Sequence, residues 1–290
     1  MRLLVTGAGG MLGQAVAEHG LRLGHEVFAL ARQQLDVLDG AAVEEALAQA
    51  RPAAVVHCAA WTDVDGAESD PQGARALNGD GAGNVARASA RLGIHMVCVS
   101  TDYVFDGHGH RPYLEHDVPA PRTVYGSSKL DGERQVLEAQ AGHTIARTSW
   151  LFGAGGRNFV DTMLALGAER EEVSVVSDQV GCPTWTGHLA PALVELAERR
   201  WGGIHHVAGA GWCSWHELAV EVFDQAAMSC RVLPISSEAA ARPAPRPPYS
   251  VLGSERSDTP RLAHWTEGVR GHLRQRGAAD GAAREREGVR

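Results

Sequence analysis

The first half of the chain alternates short apolar runs with longer segments in which apolar residues recur at helical spacing. The apolar runs predict β-strands at residues 3–6, 27–31, 54–60, 96–101 and 144–148. The segments between them predict helices at residues 11–23, 41–50, 74–92 and 125–140. Strands that alternate with helices form a parallel sheet covered on both faces, so we predict an α/β fold with a doubly wound, Rossmann-like sheet.

The second half is less regular and predicts a smaller C-terminal α/β domain. Helical spacing recurs at residues 158–170, 188–199, 214–225 and 269–274, and apolar runs predict strands at 173–176 and 204–207. Prolines concentrated between residues 243 and 248 predict an extended loop. We therefore divide the chain into a first domain at residues 1–150, a second at 151–276 and a disordered tail at 277–290, which is rich in Gly, Ala and charged residues.

The composition limits the partners of this chain. Of its 290 residues, 44% are hydrophobic and 21% are charged, as in ordinary globular proteins. The net charge of −8 argues against a nucleic-acid partner, and no apolar run reaches the ~18 residues of a membrane span. The cysteines are scattered and the histidines lack metal-ligand spacing, so we expect reduced thiols, no zinc site and a cytoplasmic location.

A glycine-rich turn lies between the first predicted strand and the first predicted helix. Gly7, Gly10 and Gly13 form G-x-x-G-x-x-G, in which the glycines permit a tight turn, backbone approach to a diphosphate and close packing of the helix. The helix then directs N–H groups and its positive dipole end at the phosphates. A glycine-rich turn without a ligand is the alternative, but the flanking strand and helix favour a dinucleotide-binding domain at residues 1–150.

The end of the second predicted strand bears on the choice between NAD and NADP. An acidic residue there would bind the ribose 2′-hydroxyl of NAD, but this chain has Ala31 followed by Arg32. Arg32 can pair with the 2′-phosphate of NADP, although a solvated surface arginine is the alternative. We therefore expect NADPH as the cofactor, with NADH as a second possibility, and Asp36 and Val37 beside the adenine.

Tyr125 and Lys129 form the pattern Y-x-x-x-K in the helix predicted at residues 125–140. Residues four apart share a helix face, so the phenol and the ammonium can face one pocket. We expect Lys129 to lower the pKa of Tyr125 from its ordinary ~10, which would help the phenol donate a proton to a developing alkoxide, and to hold the nicotinamide ribose. Two unrelated surface residues are the alternative. Thr101 favours catalysis, because it ends the fourth predicted strand and its hydroxyl can bind the same oxygen.

Longer motifs extend this pattern along the chain. They are AAWTDVD at 59–65, STDYVF at 100–105, VYGSSK at 124–129, RTSWLF at 147–152, DQVGCPT at 178–184 and RPPYS at 246–250. Together they resemble the extended short-chain dehydrogenase/reductase family, and within it the enzymes that reduce dTDP-linked 4-keto sugars, over about residues 1–275. The resemblance implies reduction of the 4-keto group of dTDP-4-dehydro-L-rhamnose to dTDP-L-rhamnose, with a hydride from the nicotinamide and a proton from Tyr125.

The resemblance also assigns residues to the two ligands. It implies cofactor contacts from Gly10, Met11, Leu12, Ala60, Trp61 and Thr62. It implies contacts with the sugar nucleotide from Thr101, Asp102 and Trp150, and a mainly substrate-binding role for residues 151–276. Some members of the family are magnesium-linked dimers, which makes a homodimer possible here, but we can identify no magnesium ligands in this sequence.

A diphosphate-linked sugar needs cationic and stacking side chains, and the second half of the chain offers several candidates. Arg246, in the proline-rich loop, is either a ligand of the diphosphate or a solvated linker arginine. Trp150 is expected to form a wall for the sugar. We expect Trp185, Trp212 and Trp215 in the core or at an interface rather than at a ligand.

Two other functions stay open. A sugar-nucleotide epimerase or dehydratase would share the fold and the glycine-rich turn, but dehydratases of this fold tend to carry Thr-Asp-Glu, whereas Tyr103 follows Asp102 here. A non-catalytic regulatory subunit that binds NADP and a partner enzyme would tend to have lost part of the catalytic set. Thr101, Tyr125 and Lys129 are all present, which favours an enzyme.

Overall fold

The computed structural model describes the backbone of residues 1–287 and the side chains of residues 1–278. The strands are β1 Arg2–Thr6, β2 Glu26–Leu30, β3 Ala54–His57, β4 His95–Thr101, β5 Thr144–Thr148, β6 Leu151–Phe152, β7 Glu172–Val176, β8 Val180–Gly181, β9 Thr184–Trp185, β10 Gly203–His206, β11 Cys213–Ser214 and β12 Arg231–Ile235. The helices are α1 Met11–Arg22, α2 Gly40–Ala50, α3 Val64–Ser69, α4 Pro71–Arg75, α5 Ala82–Arg91, α6 Val124–Ala139, α7 Phe159–Glu169, α8 Thr186–Arg199, α9 Trp215–Gln225, α10 Ser237–Ala240 and α11 Trp265–Glu287.

Parallel strands form the central sheet, in the order β10-β5-β4-β3-β1-β2. The chain starts at β1, winds outward to β2, and then crosses to β3 and continues in the opposite direction. Helices α1 and α8 cover one face of the sheet, and α2, α5 and α6 cover the other. The doubly wound α/β fold predicted from the sequence is therefore confirmed, and its switch point lies between β1 and β3, where sheets of this kind bind ligands.

Strand β10 and helix α8 complete this sheet from the second half of the chain. Strand β10 pairs with β5, placing Ile204 beside Ile145, and α8 buries Leu189 and Leu193 against the sheet. The predicted boundary at residue 150 therefore assigns two elements of the first domain to the second. The error arises because a short strand with two histidines carries no local sign of the sheet that it joins.

A smaller α/β unit lies beside the central sheet, in agreement with the sequence prediction. Strands β7 and β12 pair in parallel, and α7 and α9 pack with them around a separate apolar core that includes Val173, Leu218 and Phe223. Strand β12 was not predicted from the sequence, because Pro234 lies within it. A two-stranded sheet has only edge strands, where proline is tolerated.

The last helix differs from the sequence prediction. We expected a short helix at residues 269–274 and disorder from 277 onward, but α11 runs from Trp265 to Glu287. Its beginning is anchored by the buried side chains of Trp265 and Val269. Alanine, arginine and glutamate fill much of the remainder, and these residues propagate a helix readily once it has begun. Residues 288–290 of the predicted tail lie outside the described residues.

A buried ion pair connects helix α6 to the sheet. Arg147 on β5 donates to both carboxylate oxygens of Glu133 on α6, at 2.9 and 2.7 Å, and the two side chains are 1% and 3% exposed. Ser100 on β4 donates to the same carboxylate at 2.5 Å, and the guanidinium lies over the ring of Phe105. Both charges are thus paired and hydrogen-bonded, which buried charges require.

Replacing one partner should destabilise the protein strongly. Arg147→Met leaves the Glu133 carboxylate buried without its counter-charge, so we expect the free energy of unfolding to fall by about 3–5 kcal/mol. Chemical denaturation measures this loss. Arg91→Met is the matched control, because Arg91 pairs with Glu44 at 2.7 Å with both side chains about half exposed, and should cost less than about 1 kcal/mol. Equal losses in the two variants would contradict the role assigned to the buried pair.

Candidate active site

A cavity of about 1190 Å³ opens at the carboxyl edge of the central sheet. The ends of β1, β3, β4 and β5 border it, together with the first turn of α1 and the first turns of α6. Every site residue predicted from the sequence lines this cavity except Arg246. The structure therefore brings the glycine-rich turn, the tyrosine–lysine pair and the threonine at the end of β4 to one site.

The geometry of the glycine-rich turn fits a dinucleotide diphosphate. Gly7 has a φ of +65°, and a Cβ on it would lie 2.5 Å from the backbone nitrogen of Ala59. A Cβ on Gly13 would lie 2.3 Å from the carbonyl oxygen of Gly7, so the helix can pack here only without a side chain. At Gly10, which precedes α1, a Cβ would meet no atom closer than 3.4 Å. The turn therefore packs closely at Gly7 and Gly13 and leaves space at Gly10, beside the helix N-terminus. Phosphates of dinucleotides bind at this end of the helix.

The loop Ala60–Thr62 follows β3, which ends at His57 rather than at residue 60 as predicted. Asn78, in a π-helical turn at Ala76–Gly81 between α4 and α5, holds this loop from behind. Its side chain accepts from the Trp61 amide at 2.8 Å and donates to the Trp61 carbonyl at 3.1 Å. It also donates to Ser128 on α6 at 2.9 Å. Asn78 was not identified from the sequence, where the available signal was a polar residue inside an alanine-rich helical segment. Turns of π-helix often mark functional sites.

The segment after β2 lines the far end of the cavity. Arg32 and Asp36 are exposed there, whereas Val37 is buried. The Asp36 carboxylate accepts from the Leu38 amide at 3.0 Å, which shapes the loop. Arg32 therefore lines this end of the cavity with an exposed side chain.

Helix α6 positions the tyrosine and the lysine. Thr123 caps its N-terminus by accepting from the Gly126 amide at 2.9 Å. A Cβ on Gly126 would lie 2.2 Å from the carbonyl oxygen of Tyr103, so the helix approaches the turn after β4 as closely as backbone allows. Lys129 is 5% exposed, and its ammonium donates to the carbonyl oxygen of Val99 at 2.8 Å. The first turns of α6 are thus fixed against the end of β4.

The pKa of Tyr125 differs from the sequence prediction. Burial raises the pKa of its phenol to about 12, although the nearby hydroxyl of Thr101 acts in the opposite direction. We had expected Lys129 to lower this pKa, but the ammonium is directed at the carbonyl of Val99. The phenol is consequently protonated at neutral pH, as a proton donor must be. The ring of Tyr103 contacts Tyr125 edge-on, with centroids 5.5 Å apart.

Asp102 is a buried carboxylic acid next to Thr101. It is 2% exposed, and burial raises its pKa to about 6, although the nearby hydroxyls of Ser250 and Thr101 act in the opposite direction. The Thr101 hydroxyl donates to its Oδ1 at 3.1 Å, whereas Oδ2 has no hydrogen-bond partner among the described residues. The hydroxyl of Ser250, which acts on the pKa of Asp102, is likewise buried without a hydrogen-bond partner among the described residues.

Trp150 and Trp215 form a second aromatic pair at the cavity, and both line it. Trp150, expected to form a wall for the sugar, lines the cavity. Trp215 packs against the apolar core of the smaller unit, as expected, and it also lines the cavity, which was not expected. Trp212, grouped with it in that prediction, is 57% exposed. Arg157, on the loop before α7, also lines the cavity and was not singled out from the sequence.

Arg246 does not reach the cavity wall. Its guanidinium donates to Asp65 at 2.9 Å, and the same carboxylate accepts from the Ala244 amide at 3.1 Å. These bonds tie the proline-rich loop to the first turn of α3. The predicted contact of Arg246 with the diphosphate is therefore not supported, and neither is the alternative of a solvated linker residue, because the side chain is 16% exposed and paired.

Among the residues that the structure describes, no group of three or more His, Cys, Asp or Glu side chains is placed to hold a metal ion. None of the described helices is long and apolar enough to cross a bilayer.

Comparisons with known proteins point to one family. The profile described as "RmlD substrate binding domain" matches residues 1–277. A Streptomyces griseus protein named dTDP-4-dehydrorhamnose reductase is 49% identical over 275 residues, which are 91% of this chain and 90% of that one. A Streptomyces antibioticus protein named probable dTDP-4,6-dihydroxy-2-methyloxan-3-one 4-ketoreductase is 45% identical over 88% of each chain.

A solved structure resembles this chain over nearly its whole length. It is that of dTDP-4-dehydrorhamnose reductase from Bacillus anthracis in complex with NADP. The two share 39% of their residues and superpose with a TM-score of 0.92, covering 94% of this chain and 99% of the other. The fold, including the placement of the smaller unit, is thus shared with a dinucleotide-binding protein.

Replacing Asp102 by Asn should stabilise the protein at neutral pH. The pKa of Asp102 is raised in the folded state, so its ionisation costs stability as pH rises from about 4 to above about 6. Asp102→Asn removes this cost. We expect its free energy of unfolding to exceed that of the wild type by roughly 1–3 kcal/mol at pH 8, with the difference vanishing below about pH 4.

Chemical denaturation of both proteins across this pH range measures the effect. A difference that does not change with pH would contradict the placement of an ionised, buried carboxylate at this site.

Proposed function

The chain belongs to the RmlD substrate-binding-domain family, and we propose that it reduces the 4-keto group of dTDP-4-dehydro-L-rhamnose with NADPH to give dTDP-L-rhamnose. The observation that carries this proposal is the meeting of Thr101, Tyr125 and Lys129 in the same cavity as the glycine-rich turn. The names of the relatives and the NADP complex of the Bacillus anthracis protein support it.

The protein groups can deliver a proton to one oxygen. Tyr125 is half-buried and protonated, and the hydroxyl of Thr101 lies beside it. We place the keto oxygen of the sugar between these two hydroxyls, so that both donate hydrogen bonds as negative charge develops there. Lys129 is held by the carbonyl of Val99 at 2.8 Å, which fixes a positive charge beneath the site and favours that developing charge.

The same cavity suits the cofactor. NADPH, when bound, supplies a hydride from C4 of its nicotinamide. We assign its diphosphate to the backbone of Gly10, Met11 and Leu12, and its adenosine end to the segment that carries Arg32, Asp36 and Val37. Ala60, Trp61 and Thr62 are assigned to the central part, and Lys129 to the nicotinamide ribose.

The sugar nucleotide would occupy the other side of the cavity. Asp102 and Trp150 both line this side, where the carboxyl can bind a sugar hydroxyl and the indole offers an aromatic wall. The Streptomyces antibioticus relative is named for a different keto sugar, so another dTDP-linked 4-keto sugar is the alternative substrate. An epimerase or dehydratase is less favoured because Tyr103 stands where dehydratases of this fold tend to have an acid. The cytoplasmic location and the homodimer stay predictions.

Tyr125→Phe should abolish turnover and spare cofactor binding. With dTDP-4-dehydro-L-rhamnose, the wild type should oxidise NADPH, which is followed by its absorbance. Removal of the proton donor should lower kcat by roughly 10²- to 10⁴-fold, while the Kd for NADPH stays within about twofold. Tyr249→Phe is the matched control, because Tyr249 does not line the cavity, and should retain full activity.

Retained turnover in Tyr125→Phe would disprove its role as the proton donor. No net oxidation of NADPH by the wild type would overturn the proposed reduction. Conversion of the sugar without net oxidation would identify an epimerase instead.

Arg32→Ala should weaken NADPH more than NADH. Only NADPH carries the 2′-phosphate that this guanidinium can bind, so the KM for NADPH should rise by about tenfold or more and that for NADH by less than about twofold. Arg22→Ala, an exposed arginine at the far end of α1, is the control and should change neither KM. Equal changes for the two cofactors would leave Arg32 as a surface residue.

A further inference from the structure

The two tryptophans at the cavity are stacked face to face. The rings of Trp150, which follows β5, and Trp215, which begins α9, have centroids 3.5 Å apart and planes within 3° of each other. Both side chains are half-buried, and both line the cavity. The stack joins a residue at the edge of the central sheet to the first turn of a helix in the smaller unit.

A chain of hydrogen bonds fixes the second tryptophan. The indole N–H of Trp215 donates to the side-chain oxygen of Gln179 at 3.1 Å. The amide of Gln179 donates to the hydroxyl of Ser237 at 2.7 Å, and that hydroxyl donates to Asp178 at 2.6 Å. Gln179 is 7% exposed, so this orientation of Trp215 is set from within the protein. Two residues of the DQVGCPT motif, Asp178 and Gln179, thus act on Trp215.

A third residue of the motif makes room for the first tryptophan. A Cβ on Gly181 would lie 2.4 Å from the Trp150 ring, so the ring packs directly on the backbone there. Trp150 itself has a φ of +47°, a conformation that large side chains rarely adopt. A backbone held in this region needs surrounding contacts that over-determine it. The ring is consequently confined between Gly181 and Trp215.

We propose that Trp215 is a positioning residue for the sugar site. Its ring, oriented by the hydrogen bond to Gln179, holds the ring of Trp150 in place as the wall against which the sugar binds. The inference rests on the proposed function, because it takes the sugar to bind against Trp150. Without the stack, Trp150 loses the contact that opposes its strained backbone, and its ring can turn away. The sugar then binds less tightly, because the indole of Trp150 is no longer fixed beside it. The glycine-rich turn, to which the cofactor is assigned, is unaffected.

The inference predicts a selective loss of substrate binding. Trp215→Ala should raise the KM for dTDP-4-dehydro-L-rhamnose by roughly two- to tenfold, the scale of one aromatic pair, while the Kd for NADPH stays within about twofold. Trp215→Phe keeps a ring but no N–H, and should show a smaller rise. Gln179→Ala, which keeps Trp215 but removes the hydrogen-bond acceptor of its indole N–H, should also raise the KM for the sugar.

Trp212→Ala is the matched control. Trp212 lies three residues before Trp215, is 57% exposed and does not line the cavity, so its KM should equal that of the wild type. Near-ultraviolet circular dichroism of the free protein gives a readout that does not require turnover. The contribution of the stacked indoles should disappear in Trp215→Ala and persist in Trp212→Ala.

Several results would overturn the inference. A wild-type KM in Trp215→Ala would do so, as would a Kd for NADPH that rises in parallel with KM, since that marks general damage. If Trp215→Ala fails to fold, unchanged KM values in Trp215→Phe and Gln179→Ala together decide against it. Failure of the proposed function is a separate result, because it shows as no NADPH oxidation by the wild type.

Discussion

The buried ion pair between Arg147 and Glu133 is the constraint on which the site depends. Glu133 lies four residues after Lys129, which lies four after Tyr125, so the three side chains share one face of α6. The ion pair holds one end of this face against β5, and the bond from Lys129 to Val99 holds its middle against β4. Tyr125 is then left at the free end of the face, beside Thr101, where the strand stops and the cavity begins.

The chemistry follows from what this docking buries. A phenol enclosed in this way has a raised pKa of about 12 and keeps its proton until a stronger base forms beside it. Asp102 is enclosed by the same packing, and its pKa of about 6 reflects a carboxylate removed from water. Packing at the end of β4 thus raises the pKa of both the phenol of Tyr125 and the carboxyl of Asp102. Shifted pKa values of this kind are common at functional sites.

The sequence was sufficient wherever function depends on local geometry. The spacing of Gly7 and Gly13 and the four-residue separation of Tyr125 and Lys129 are local, and alternating strands and helices predicted the sheet. Contacts between distant segments could not be predicted in this way. Arg246 pairs with Asp65 across 181 residues, and Trp215 stacks on Trp150 across the two units. The pKa of Tyr125 was misjudged for the same reason, because burial and the direction of the Lys129 ammonium are properties of the folded chain.

The fate of an isotopic label tests the central claim, that this cavity transfers a hydride to a sugar carbon and a proton to its oxygen. The wild-type enzyme would react dTDP-4-dehydro-L-rhamnose in ordinary water with NADPH that carries deuterium at the transferred position of C4. We expect dTDP-L-rhamnose with a single deuterium, located at C4 of the sugar by NMR. Product without deuterium at that carbon, or label retained entirely on the cofactor, would contradict it.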